Sequence, residues 1–168
     1  MSGLTKASGV PTIDSVLAIS DIDSPTTFID IANIGDITGS SSRSVNDVSA
    51  HGVSSRRKVA GILDEGSYSF PLFFIPKSGT VETHTDPTNG LYNVYKRNDL
   101  RAYALFVRDE SSSTGAARYF NAYITKFSET LSVAGVYTAT VELTIDGEVL
   151  TGTETGGVAA AVFAPAES

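Results

Sequence analysis

The chain has 168 residues, no cysteine, and a formal net charge of −7 from 12 Lys and Arg against 19 Asp and Glu. That length predicts one domain, residues 1–168, able to bury about 70% of the surface its unfolded chain exposes without disulfides or a thiolate metal centre. The acidic balance argues against nucleic-acid binding, which sets cations against phosphates, but not against proximity to nucleic acid without binding.

In chain order, the N-terminal MSGLTKASGVPT has no apolar core of the kind a signal peptide requires. Residues 1–27 read as an N-terminal arm, and residues 28–34 (FIDIANI) as the first strand of a core running to about residue 149. From residue 39 to 55 the sequence GSSSRSVNDVSAHGVSS is Ser-rich and poor in large apolar side chains. That is the composition of a long loop or an extended hairpin. Arg56, Arg57 and Lys58 close it, either as a solvated loop end or as a contact with an acidic patch on a neighbouring subunit. Asp64, Glu65 and Gly66 are turn chemistry, and residues 67–75 follow as an apolar strand. Pro71 within it cannot donate to a ladder and belongs at an edge or a bulge. Residues 76–79 turn the chain.

A short helix is predicted from near Asp86 and Pro87, with Asp as cap and Pro at the first helical position. Leu91, Val94 and Tyr95 form its apolar face, and it ends near Asn98. Residues 101–108 and 118–127 read as strands joined by a loop, and a turn through 132–135 leads to the clearest pattern in the chain. There Tyr137, Ala139, Val141, Leu143 and Ile145 alternate with Thr138, Thr140, Glu142, Thr144 and Asp146, giving one dry face and one wet face. Gly147 ends that strand, and a Thr/Gly/Ala tail occupies residues 150–168. Its apolar run, residues 158–164, is far short of the ~18 residues of a membrane span, so no membrane partner is expected. The sum is a mainly β domain, sandwich or barrel, with one short α-helix.

The chemistry of a catalytic, cofactor or metal site is missing. His51 and His84 fall in predicted loops without zinc spacing. No nucleophile elbow, phosphate-binding loop or dinucleotide fingerprint occurs. The carboxylate pairs Asp21/Asp23 and Asp64/Glu65 read as turn residues. Tyr119 and Tyr123 share a strand face, which reads as an interface or a half-buried surface rather than a stacking platform. An enzyme is not expected, and neither is a cofactor.

The order of elements carries a resemblance. A first strand precedes a Ser-rich extended segment with an Asp-x-Ser step at Asp47 and Ser49; then come GILDEGSYSF, a short helix, a strand ending in Arg108 and Asp109, and the pair RYFNAYITKFSETL and GVYTATVELTIDGEV. Together, over about residues 28–149, these resemble the tail tube protein, or major tail protein, of long, non-contractile-tailed bacteriophages. Ser49 stands where that family often has Thr, and the sequence after Leu150 matches no part of the pattern.

The resemblance implies two packed antiparallel sheets flanked by a helix, with six copies per ring and rings stacked into a tube. The strands of one ring would join into a continuous barrel, which removes exposed sheet edges. It also implies a place in the virion tail after synthesis in the host cytoplasm. Tape-measure, tail-tip and tail-terminator proteins would be partners, and double-stranded DNA would pass through without specific binding. A lumen of acidic and neutral polar groups would not hold phosphates, and a net acidic chain has the sign for that. Asp30 and Glu142, on the polar sides of their strands, are the candidate lumen acids. The Ser-rich segment with Arg43, Asp47, Ser49, Arg56, Arg57 and Lys58 is the candidate ring-to-ring contact. The alternative is a capsid decoration or other β-rich virion surface protein.

Overall fold

Seven β-strands and one α-helix are defined in the computed structural model, which describes residues 13–24, 27–31, 34–48, 52, 54–74, 87–109 and 114–155. They are β1 (Ile13–Ser20), β2 (Phe28–Asp30), β3 (Thr38–Val48), β4 (Arg57–Phe74), α1 (Leu91–Arg97), β5 (Arg101–Asp109), β6 (Thr114–Leu131) and β7 (Tyr137–Thr155). All neighbours pair antiparallel in a single sheet of order β2-β1-β5-β6-β7-β4-β3. The mainly β class with one short helix is as expected. The two sheets are in fact one, because β7 pairs with β6 on one side and β4 on the other and so joins the two halves.

Alternation along the strands puts Leu17, Ile19, Phe70, Leu72, Tyr103, Phe120, Val141 and Leu143 on one face, where Leu91 and Val94 of α1 cover them. Tyr68 of β4 stacks on Phe120 of β6 at 5.0 Å between ring centroids, and Phe120 on Tyr103 of β5 at 5.9 Å. In a flat sheet β7 would separate Tyr68 from Phe120, so the stack requires the sheet to curl around its own core. Tyr92 and Tyr95 of α1 pack on Phe127 of β6 at 5.4 and 6.0 Å, which seats the helix on the concave side.

Two arginines lock the entry to the helix. Arg97 donates to the carbonyls of Pro87 and Thr88 and pairs with Asp99 at 2.9 Å. Arg101, only 5% exposed, donates to Ser20 O and Thr88 O at 2.8 Å and to Asn89 Oδ1 at 3.0 Å. These charge-assisted bonds tie the segment before α1 to the ends of β1 and β5. Helix capping is by Gly90 at the N-terminus and by Asn98 at φ 56° at the C-terminus, while Asp86 lies outside the described residues.

Several expected boundaries move. The span expected as an arm contains β1, an interior strand whose Leu17, Ala18 and Ile19 are buried on both faces. Burial on both sides removes alternation, and with it the strand signal that an exposed face supplies. The expected first strand shortens to β2; Ile31 N–H still bonds Leu17 O at 2.8 Å, and Ile34 returns only as an isolated bridge to Leu72. Asp64 to Gly66 is a bulge inside β4, with Gly66 at φ 75° donating to Asp64 Oδ1 at 2.9 Å. Gly147, at φ 92°, likewise does not end β7, which shifts register there and continues to Thr155. Both glycines meet the backbone demand of a bulge as readily as that of a turn. Pro71 sits opposite Thr140 of β7, and on its other side the β3 ladder has already ended at Ser69. The turn at 76–79, Ile75, His51 and His84 lie outside the described residues.

The Tyr103 hydroxyl is fully buried and has no hydrogen-bond partner among the described residues, and burial pushes its pKa up. Tyr137 is pushed up to about 12 by burial and by its hydrogen bond to Glu129. A phenol whose folded pKa is raised favours the folded state below its unfolded pKa of about 10 and loses that contribution as pH climbs through the folded value. Stability is therefore expected to fall between about pH 10 and 12. Tyr103→Phe removes an unpaired buried hydroxyl, so urea unfolding at pH 7 should show equal or greater stability, by up to about 1 kcal/mol, and a shallower alkaline loss.

Candidate functional site

Residues 38–48 fold as a strand, yet every side chain of β3 is exposed. β4 pairs with β7 only from Ser67 onward, so among the described residues its earlier part pairs with β3 alone. The result is a two-stranded ribbon that leaves the body of the sheet and buries neither face. The Ser-rich sequence explains this, since it satisfies a backbone ladder but supplies little apolar area to pack. A two-stranded ribbon of this kind is marginal by itself in water.

The ribbon carries Arg43, Asp47, Arg56, Arg57 and Lys58, all exposed; Ser49 lies outside the described residues. Asp47 is opposite Lys58 in register and 3.8 Å from Arg56. At such exposure this contact contributes little stability. At the ribbon's tip Asp47 stands among Arg56, Arg57 and Lys58, which leaves the tip basic on a chain of net charge −7, while Arg43 lies nearer the root beside Asp64.

Asp30 and Glu142 share the sheet face that α1 does not cover. The register runs Asp30–Ala18–Ala104–Tyr119 across one part and Lys126–Glu142–Ser69 across another. Four strand spacings separate β2 from β7, or ~19 Å, so the two acids share a face without forming a cluster. Near Asp30 this face is small and buried, with Ala18, Ala102, Ala104 and Ala117 beside Phe28, Phe106 and Tyr119. Toward β7 and β4 it becomes a field of hydroxyls: Thr125 Oγ1 and Thr144 Oγ1 bond at 2.9 Å, and Ser67, Ser69, Ser128 and Thr140 lie around them. Among its described side chains, Asp30, Glu142 and Asp146 stand against Lys126 alone. The Asp30 carboxyl is raised above its ordinary pKa by desolvation, so its charge is held against a burial penalty.

One feature was not legible in the sequence. Where β4 parts from β7, a cleft of about 810 Å³ opens between ribbon and sheet. Tyr68, Ser40 and Glu65 line it on the ribbon side, and Leu105, Arg118 and Val149 on the other. Arg118 Nη1 donates to Tyr68 Oη at 3.2 Å across it. Only a glycine interrupting an alternating run, Gly147, hints at the register shift that places Val149 there. Among the described residues no group of three His, Cys, Asp or Glu could hold a metal ion, and no helix is long and apolar enough to cross a membrane.

A Cβ at Gly66 would overlap Ser40 O, and its φ of 75° disfavours any L side chain. Gly66→Ala is expected to destabilise the root of the ribbon by about 1–3 kcal/mol. Amide exchange should report the loss at residues 38–48 and 57–69 before it reaches β5 or β6.

No protein-family model and no curated protein matches the sequence. Solved structures do match by fold. A chain from the tail of an empty gene transfer agent particle superposes with TM-score 0.61 at 16% identity, over 80% of this chain and 93% of that one. A chain of the SPP1 tail tube gives 0.60 at 14% identity, over 84% and 78%. A chain of the sheath–tube complex of an extracellular contractile injection system gives 0.58 at 10% identity, over 88% and 93%. The curled antiparallel sheet with its one described helix thus shares its fold with these chains, one of them from the SPP1 tail tube.

Proposed function

We propose that this chain is the structural subunit of a virion tail tube. Copies form rings of six, the rings stack into a hollow polymer, and double-stranded DNA passes through it on ejection into the host. The observation that carries the reading is the ribbon. A strand exposed along its whole length gains nothing inside one chain, whereas a polymer supplies the surface that covers it. Open strand edges point the same way: among the described residues β4 before Ser67 has no neighbour on its β7 side, and such edges pair with other copies unless something protects them.

The polar sheet face would form the lumen wall, with Asp30 and Glu142 among the groups that meet DNA. Hydroxyls and sparse carboxylates offer phosphates no cationic foothold, so the duplex slides without counterion exchange. The basic ribbon would bridge successive rings. Solved neighbours include chains from the cap and the baseplate of the anti-feeding prophage. By analogy, partners that start, measure and terminate the tube are proposed here: tail-tip, tape-measure and tail-terminator proteins.

Electron microscopy of concentrated protein is expected to show hollow filaments of stacked rings, and a discrete oligomer that needs a capsid would instead favour a decoration protein. Joint replacement Asp30→Lys and Glu142→Lys should leave tube assembly intact and slow DNA ejection several-fold; unchanged ejection would remove both from the lumen. The ribbon offers a separate check. Its amides, residues 38–48, should exchange fast in the free subunit and slowly in the tube, and equal protection in both states would exclude it from the ring contact.

A further inference from the structure

β7 keeps β6 on one side as far as Thr155, but loses β4 on the other after Thr144. From Ile145 to Thr155 that second edge has no partner among the described residues. Leu150 lies on this stretch, opposite Tyr119, and is 46% exposed, whereas Ile145 and Val149 are half-buried. Beside the open edge is the cleft, with Leu105, Val107, Val149 and Ile37 as its apolar wall. Its charged lining is Asp36, Glu65 and Arg118, two carboxylates against one guanidinium. The occupant that suits this surface is an uncharged extended segment, which satisfies a strand edge and brings apolar side chains to the cleft.

The sequence that follows Thr155 has those properties. Residues 156–164 read GGVAAAVFA, without a charge, and lie outside the described residues. Gly-Gly between a strand and an apolar run is a two-residue hairpin signal, since both glycines accept the positive φ of a type I′ turn. A two-residue loop at 156–157 fixes the register: Val158 returns opposite Thr155, Val162 opposite Thr151, Phe163 opposite Leu150 and Ala164 opposite Val149. Phe163, the one aromatic of the run, thus falls on Leu150, the one large apolar residue of β7 exposed among the described residues. Val162 and Ala164 fall on the side of Thr151 and Val149, which line the cleft. Pro165 then comes opposite Glu148, shortly before the edge passes to β4 at Thr144, and its missing N–H ends a ladder there.

We propose that residues 158–164 form a further strand in the same chain, antiparallel to β7 on the edge that β4 leaves open, walling the cleft with Val162 and Ala164 and covering Leu150 with Phe163. β6 already holds the other edge, so a returning strand has one place to pair. The tether decides between this copy and a second one. A two-residue loop holds the segment at an effective concentration on the order of millimolar or more, which a separate chain does not match in dilute solution. So seated, the segment also covers an edge that otherwise invites strands of other copies. The contact lies within one chain and does not depend on the tube reading.

The chain has no cysteine, so an introduced pair reports only on itself. In this register Leu150 and Phe163 form a non-hydrogen-bonded pair, ~4.5 Å between Cα atoms, which a disulfide spans. Leu150→Cys with Phe163→Cys, oxidised in dilute solution, is expected to give a monomer with an internal disulfide. It should do so about tenfold or more faster than Leu150→Cys with Ala160→Cys, whose second thiol lies out of register and on the other face. Equal rates in the two pairs would mean that the segment meets β7 without a register. Linked dimers in place of monomers would mean that it docks on a second copy. Either result overturns the proposal. Val162→Pro gives a second reading without cysteines, because it removes an N–H that the register directs to Thr151. Alternate amides within residues 149–155 should then exchange about tenfold or more faster than in the unaltered chain, with those of β5 unchanged. Unaltered exchange at residues 149–155 would also exclude the added strand.

Discussion

β7 has two partners and divides its length between them. Against β6 it is paired from Tyr137 to Thr155, but against β4 only from Tyr137 to Thr144. Had the second ladder continued, β4 would have stayed in the body of the sheet, and there would be no ribbon and no cleft. Its early end follows from two bulges, one at Gly66 in β4 and one at Gly147 in β7, which turn the two strands away from each other. The same bend lets the sheet curl far enough for Tyr68 to stack on Phe120, so the core and the projecting parts share one cause.

The two faces of the sheet serve different physical ends. The concave face is filled by aromatic and aliphatic side chains and capped by α1, and it carries the hydrophobic free energy of folding. The opposite face changes along its width from buried alanines to a hydroxyl surface with few charges. Small side chains near β1 and β5 allow another layer to approach that part closely. The hydroxyl part is largely exposed and presents donors and acceptors with little fixed charge, which, on the tube reading proposed above, would suit a moving polyanion better than an apolar or a cationic wall.

How much of this was readable depends on what each residue leaves in the sequence. The alternation from Tyr137 to Asp146 marks a strand because one of its faces is polar, and the spacing of Leu91, Val94 and Tyr95 marks the helix for the same reason. β1 escaped because VLAI is buried on both sides and alternates nowhere. The glycines at 66 and 147 were read as ends because a bulge and a turn ask the same φ of a residue, and only the partner strand decides between them. Arg43, Asp47, Arg56, Arg57 and Lys58 fall on one ribbon because they are close in the chain, while Ser49 lies outside the described residues. Asp30 and Glu142 could each be placed on a polar side, but their common face exists only through four intervening strand registers. The cleft joins β1, β3, β4, β5, β6 and β7 and has no local signature at all.

The ribbon's freedom from its own subunit bears on how such a protein changes over generations. A side chain in the core answers to a dozen neighbours within the same chain, and most replacements there lower the stability of the whole domain. Those of β3 are exposed along the whole strand and, apart from close approaches at Gly39, Ser40 and Ser44 to β4, have few such neighbours to offend. If β3 meets another copy as proposed above, substitutions among them would be screened by that surface more than by the fold. The segment could then drift together with whatever it touches while the domain beneath stays intact. A fold that leaves part of its surface so unconstrained can be shared at very low sequence identity, as it is with the superposed chains at 10 to 16%.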